Sequence, residues 1–144
     1  MTRAPANAVL LDTCAVIWLA TRADMTAGAL ARIDDAAAEN AVLVSPVSAW
    51  EIGLMARAGA ERGLEFQPDP ATWFRTFSAA PGVATAALTA DIAVAASQLP
   101  EPLRGDQADR LLIATARDLN VPIVTRDARI VDYARRGHVQ VVRC

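Results

Sequence analysis

The sequence predicts a single α/β domain over residues 1–144, with a parallel sheet and right-handed crossovers. Two observations predict it. Short apolar runs at Ala8–Asp12 (AVLLD), Val42–Ser45 (VLVS) and Ile123–Thr125 (IVT) are continuous rather than alternating, as in strands covered on both faces. The segments between them carry apolar residues at helical spacing, and most open on a capping residue. No repeat, low-complexity segment or composition break divides the chain.

Taken in order, Ala8–Asp12 is the first strand, and Asp12-Thr13 opens a helix through Trp18-Leu19. Asp12 suits the N-cap of that helix, which is its structural reading. A second helix is expected from about Thr26 to Asn40, with Asp34, Asp35 and Glu39 on its solvated face. After Val42–Ser45, Ser45-Pro46 forms a cap and N1 pair for a helix with Val47, Trp50, Leu54, Met55 and Ala58 on one side. Glu51 falls among those apolar residues. Ser48-Ala49-Trp50-Glu51 also matches a capping box, in which Glu51 would serve only a backbone N–H, whereas Pro46 argues that the helix has already begun. Gly59–Pro70 is the loosest stretch, broken by Gly63 and Pro68. Asp69-Pro70 starts a helix bearing Trp73, Phe74 and Phe77, and this aromatic density, with Trp50 nearby, suggests a partner surface as well as core. Val83–Leu88 is a further strand, Thr89 caps a helix to Leu99, and Pro100-Glu101-Pro102 is a linker. The last elements are a helix from about Ala128 to Arg136, ended by Gly137, and a strand at Val139–Val142.

Gly105–Asp127 carries the densest information. Gly105-Asp106 supply a break and an N-cap, Leu112, Ile113, Ala116 and Leu119 form an inward stripe, and Asn120 with Pro122 ends the helix before Ile123–Thr125. Asp109 precedes Leu112 and Ile113 by three and four residues, so it shares their face, with Asp106 one turn above. Asp127 follows a buried strand, where open α/β sheets place their ligands, and Asp12 stands in the same position after the first strand. Glu51 and Asp109 would point from helices toward that edge. Carboxylates aimed at a core need a partner, and an all-oxygen set suits Mg²⁺ or Mn²⁺ rather than zinc. Without metal the acids would repel one another, and at least one would hold a proton near neutral pH.

Absences narrow the chemistry. All 14 basic residues are Arg, which removes P-loop phosphate binding and Schiff-base mechanisms. The single histidine, His138, cannot support an imidazole pair, and Cys14 and Cys144 form neither a disulfide framework nor a zinc site. A net charge of −2 does not advertise nucleic-acid binding, but a divalent ion in a carboxylate site reverses the local sign. Arg110 and Arg126 flank the acids and read equally as phosphate ligands or as structural arginines. No aromatic platform for stacking bases is apparent. Arg3 and the apolar stretch to Ala20 resemble a signal peptide, yet Asp12 interrupts it. No apolar run is long enough for a membrane span, and the expected location is the cytoplasm.

LLDTCAVIWL with Asp12, VSAWEI with Glu51, DRLLIATA with Asp109 and IVTRD with Asp127 together resemble a PIN-domain protein of the VapC toxin-ribonuclease kind, over nearly the whole chain. The resemblance implies a parallel five-stranded sheet flanked by helices and a Mg²⁺/Mn²⁺-dependent site that cleaves RNA. It further implies a homodimer and inhibition by a cognate antitoxin. It assigns metal binding and catalysis to Asp12, Glu51, Asp109 and Asp127, makes Asp106 an extra acid of one branch, and puts the Thr125 hydroxyl beside the site. Thr13, adjoining Asp12, is a further accessory candidate. The chain departs from that branch at Arg104-Gly105 (for His-Arg), Gln107-Ala108 (for Pro-Phe) and Met55 (for Lys), so no role of those basic residues carries over. A haloacid-dehalogenase-like phosphatase would need an acid where Cys14 stands and a lysine, and a phospho-receiver domain fails on the same lysine. A non-catalytic interaction module of the same fold is the remaining alternative.

Overall fold

The structure, a computed structural model, describes residues 4–59 and 65–144. Arg3 and residues 60–64 of the loop expected over Gly59–Pro70, Gly63 among them, lie outside the described residues. The elements run β1 (Val9–Leu11), α1 (Thr13–Thr21), α2 (Ala27–Ala38), β2 (Val42–Val44), α3 (Pro46–Ala58), α4 (Pro70–Ser78), β3 (Val83–Thr85), α5 (Ala90–Ser97), α6 (Gln107–Leu119), β4 (Ile123–Thr125), α7 (Ala128–Arg135) and β5 (Val141–Arg143). The strands form one five-stranded sheet in the order β3-β2-β1-β4-β5, and every pairing is parallel. The predicted α/β class and parallel five-stranded sheet are therefore observed.

Alternation along each short strand divides the core into two layers. Leu10, Leu43 and Ile123 face one way, onto Leu112 and Ile113 of α6 and Ile130 and Tyr133 of α7. Val9, Leu11, Val42, Val44 and Val124 face the other way, onto Val16 of α1, Ile33 of α2 and Ile52 of α3. Both faces are covered, which is why the central strands read as unbroken apolar runs.

Helix starts follow the sequence closely. Asp12, Thr26, Ser45, Asp69, Thr89, Asp106 and Asp127 each accept a backbone N–H as N-cap. Asn120 ends α6 in the left-handed region at φ 55°, as its small polar side chain permits. The outer strands are shorter than expected. β3 stops at Thr85, and β5 begins only at Val141, where its register with Ile123 starts. Val139 instead packs into the core below the ladder.

At the turn into β3, Gly82 has φ +86°, and a Cβ there would lie 2.7 Å from the Ala37 Cβ and 2.9 Å from its Cα. Gly82→Ala is expected to destabilise the fold by more than about 1 kcal/mol, because neither the backbone conformation nor α2 can yield cheaply. Chemical denaturation checks this, and an unchanged midpoint would show that α2 moves aside freely.

Candidate active site

The strand order reverses direction between β1 and β4, which opens a crevice at their carboxyl ends. Asp12 leaves β1 there, and Asp127 follows β4 by two residues. Glu51 reaches the crevice from α3, and Asp106 and Asp109 reach it from the start of α6. These five carboxylates and the guanidinium groups of Arg126 and Arg129 line one cavity of about 280 Å³, so the balance of charge is negative.

Asp12 is buried, and one oxygen accepts the Ala15 N–H at 2.7 Å. Capping thus uses one oxygen, and the carboxylate still lines the cleft. Burial pushes its pKa up, against the Thr125 hydroxyl and Ala15 N–H, which pull it down. Thr125 also receives the Asp127 N–H on its hydroxyl oxygen at 3.0 Å, so this one buried side chain links the two strand-end acids.

Glu51 lies in the second turn of α3, since Ser45 caps that helix and accepts the Val47 N–H at 3.0 Å. The capping-box reading of Ser48 and Glu51 therefore does not hold. Ser48 is fully buried and its hydroxyl lies 2.9 Å from that of Thr13, which donates a short hydrogen bond to the Glu51 carboxylate. With Glu51 ionised, the single Thr13 proton goes to the carboxylate, and Ser48 must be the donor to Thr13. Glu51 is held above the ordinary carboxylate range, first by burial and then by the charges of Asp106 and Asp12, with the Thr13 bond opposing them.

A capping box exists elsewhere, at the start of α6. The Asp109 N–H donates to Asp106 at 2.9 Å, and the Asp106 N–H donates back to Asp109 at 3.3 Å. Gly105 allows this closure, because a Cβ there would crowd the Asp109 carboxylate at 3.2 Å. Asp109, with a side chain 14% exposed, is raised to about 6 by burial, then by the charges of Asp106 and Asp127, despite its backbone bond and Arg129. Asp127 behaves oppositely: bonds from Arg129 hold it below the ordinary range.

A PIN-domain family model matches residues 9–136. The chain belongs to the PIN-domain family. No curated protein matches it in sequence. Its structure is similar to that of VapBC2 from Rickettsia felis bound to a DNA fragment from their promoter, with a TM-score of 0.67 and 12% identity over 94% of this chain and 97% of that one. At that identity the likeness is one of fold.

In this PIN domain the structure brings together Asp12, Glu51, Asp109 and Asp127, with Asp106, Thr13 and Thr125 beside them. Arg110 does not join them. Its Nε donates to the Ala96 carbonyl at 3.1 Å and its Nη2 pairs with Glu101 at 3.0 Å, tying α6 to the linker before it. The phosphate-ligand reading of Arg110 gives way to the structural one. Arg126 does line the cleft, but its guanidinium stacks 3.6 Å over Trp18 and donates to the Asp24 carbonyl at 3.0 Å. Arg129 went unnoticed in the sequence. Its Nη2 bridges Asp127 at 2.9 Å and Asp109 at 3.3 Å. Its position two residues after Asp127 was the available signal, and its contact with Asp109 is tertiary.

As the side chains stand, no three His, Cys, Asp or Glu among the described residues are grouped closely enough to share one metal ion. The donor set nevertheless fits a hard divalent cation in kind and charge. It is all oxygen, it carries excess negative charge, and a cation already stands between Asp109 and Asp127 in the form of Arg129. Cys14 lines the same cleft, where desolvation and then the surrounding carboxylates push its thiol up to about 11.

Proposed function

We propose that this PIN domain is a Mg²⁺- or Mn²⁺-dependent endoribonuclease, the toxin of a toxin–antitoxin pair of the VapC kind, working in the cytoplasm. The observation that carries the reading is the meeting of Asp12, Glu51, Asp109 and Asp127, from four separate elements, in one cleft at the reversal point of the sheet. Family membership and the VapBC2-like fold support it.

When bound, the divalent ion supplies charge neutralisation at the phosphate and activation of water at neutral pH. The chain does the positioning. Asp12, Glu51, Asp109 and Asp127 would hold the ion, with Asp12 and Asp127 kept together by Thr125 and Asp109 fixed by its turn with Asp106. Thr13 turns Glu51 toward the other three, and buried Ser48 holds Thr13. With a cation held by the acids, Arg129 would be released from Asp109 and Asp127 and would be free to meet phosphate.

The partners proposed are RNA as substrate, a cognate antitoxin and a second copy of the chain. Trp50, 57% exposed, and Leu54 present an apolar strip on α3 for one of these protein partners. Trp73 and Phe77 contribute less, since Trp73 packs edge-on to Phe66 at 5.0 Å and stacks with Phe77 at 6.1 Å against the core. A non-catalytic interaction module is the second reading, favoured by the ion pairs through which Arg129 already neutralises Asp109 and Asp127.

Sequencing RNA ends after a brief pulse of expression in cells separates the two. The nuclease reading predicts new ends at defined positions that vanish with Asp12→Asn. Identical end profiles for both proteins would leave only the interaction module.

A further inference from the structure

A second cavity, of about 510 Å³, adjoins the acidic cleft and has the opposite character. Arg104, Arg129 and Arg136 line it with Pro102, Ala128 and Asp132. Three guanidinium groups face one carboxylate, and that carboxylate is engaged by Arg136 at 3.5 Å. The arginines come from three places: the loop before α6, the first turn of α7 and the C-cap of α7. Arg129 lines both cavities.

We propose that this basic cavity is a subsite for a backbone phosphate of the RNA strand, next to the phosphodiester held at the acids. The proposal rests on the nuclease reading and adds to it the residues that hold the strand beside the cut. Guanidinium groups match phosphate oxygens in geometry and stay charged at any working pH. The acidic cleft repels a polyanion wherever metal does not cover it, so a strand needs positive charge close by. The cavity supplies that charge, and the Arg129 side chain forms the common wall. An RNA strand crossing the acidic cleft reaches this cavity across the shared Arg129, a continuity that an acidic peptide bound here alone would not use.

The test uses the full chain carrying Asp12→Asn, so that RNA stays intact, with Mg²⁺ present and a fluorescein-labelled oligouridylate as the probe. Anisotropy gives Kd and its salt dependence. Each phosphate contact on a single strand contributes about 0.7 to the slope of log K against log salt, which is about fivefold in affinity near 0.1 M. Arg104→Gln and Arg136→Gln are expected to weaken binding by about fivefold each and to lower the slope by about 0.7 each. Arg32→Gln, on exposed α2 surface, is the control and should change neither. Both substitutions leave the melting temperature near that of the parent, because the side chains are on the surface.

Affinity and slope indifferent to both substitutions would overturn the subsite, even where the unsubstituted protein cleaves RNA. Loss of affinity in both variants, where the protein without Asp12→Asn never cleaves RNA with either metal, would keep the subsite and remove the nuclease reading. Polyglutamate that binds as tightly as oligouridylate, and loses the same factors, would overturn the subsite in favour of an acidic peptide.

Discussion

Asp109→Asn is expected to lower RNA cleavage by at least about a hundredfold while leaving the melting temperature of the metal-free protein unchanged or raised. The carboxylate is held at about 6 because burial and the charges of Asp106 and Asp127 outweigh Arg129 and the Asp106 N–H. Its charged form is therefore a burden on the metal-free fold, and an amide oxygen can still accept the Asp106 N–H. The sign of the pH dependence follows. Between the ordinary value of 3.8 and about 6, the native state binds more protons at Asp109 than the unfolded chain does. This contribution stabilises the protein at low pH and is lost as pH rises through about 6. Lowering the pH from 7 toward 5 should thus raise the metal-free stability at this group, and Asp109→Asn should flatten that rise. Mg²⁺ or Mn²⁺ binds the native state alone, and the melting-temperature gain it gives should shrink in the variant. Asp106→Ala serves as the contrast. It removes the acceptor for the Asp109 N–H and should cost about 1 kcal/mol, with partial loss of activity at most. If the two substitutions exchange behaviour, Asp106 is the ligand and Asp109 the structural acid.

The second large effect lies under the cleft. Thr13→Val is expected to destabilise the protein by about 2 kcal/mol and to lower cleavage by about 10–100-fold. The replacement keeps the shape and removes the hydroxyl that donates to Glu51 and faces Ser48 at 2.9 Å. Ser48 is then a buried hydroxyl without its partner, and Glu51 is free to turn away. Thr13→Ser, which restores the hydroxyl, should recover most of both losses. A valine variant of unchanged stability and activity would show that Glu51 is placed by its helix alone.

The central strands and helix starts were legible because each depends on local residues. Val9–Leu11, Val42–Val44 and Ile123–Thr125 are continuous apolar runs, and all seven N-caps are Asp, Ser or Thr in front of a periodic segment. Asp12 and Asp127 could be placed at the sheet edge because they end such runs. The illegible parts depend on packing between elements. Arg110 sits beside Asp109 in sequence, yet Glu101 and the Ala96 carbonyl hold it elsewhere. Arg129 meets Asp109 only through the tertiary fold, since the two lie 20 residues apart in the chain. Ser48 and Glu51 match the usual capping-box pattern in sequence, but Ser45 caps the helix one turn earlier, as Pro46 argues. The true box pairs Asp106 with Asp109, an acid in both positions, in a loop that Gly105 lets close.

The reaction itself gives the most direct test. A defined RNA is incubated with the protein in Mg²⁺, in Mn²⁺ and in EDTA, and the ends of the products are identified. Water delivered by a metal site leaves a 5′-phosphate and a 3′-hydroxyl, and a cleft of carboxylates without metal should do nothing. Attack by the RNA's own 2′-hydroxyl would leave a 2′,3′-cyclic phosphate, and with His138 as the one histidine there is no imidazole pair to promote it. The account predicts cleavage with either metal, 5′-phosphate ends and silence in EDTA. Cleavage that persists in EDTA and leaves cyclic phosphate would contradict it.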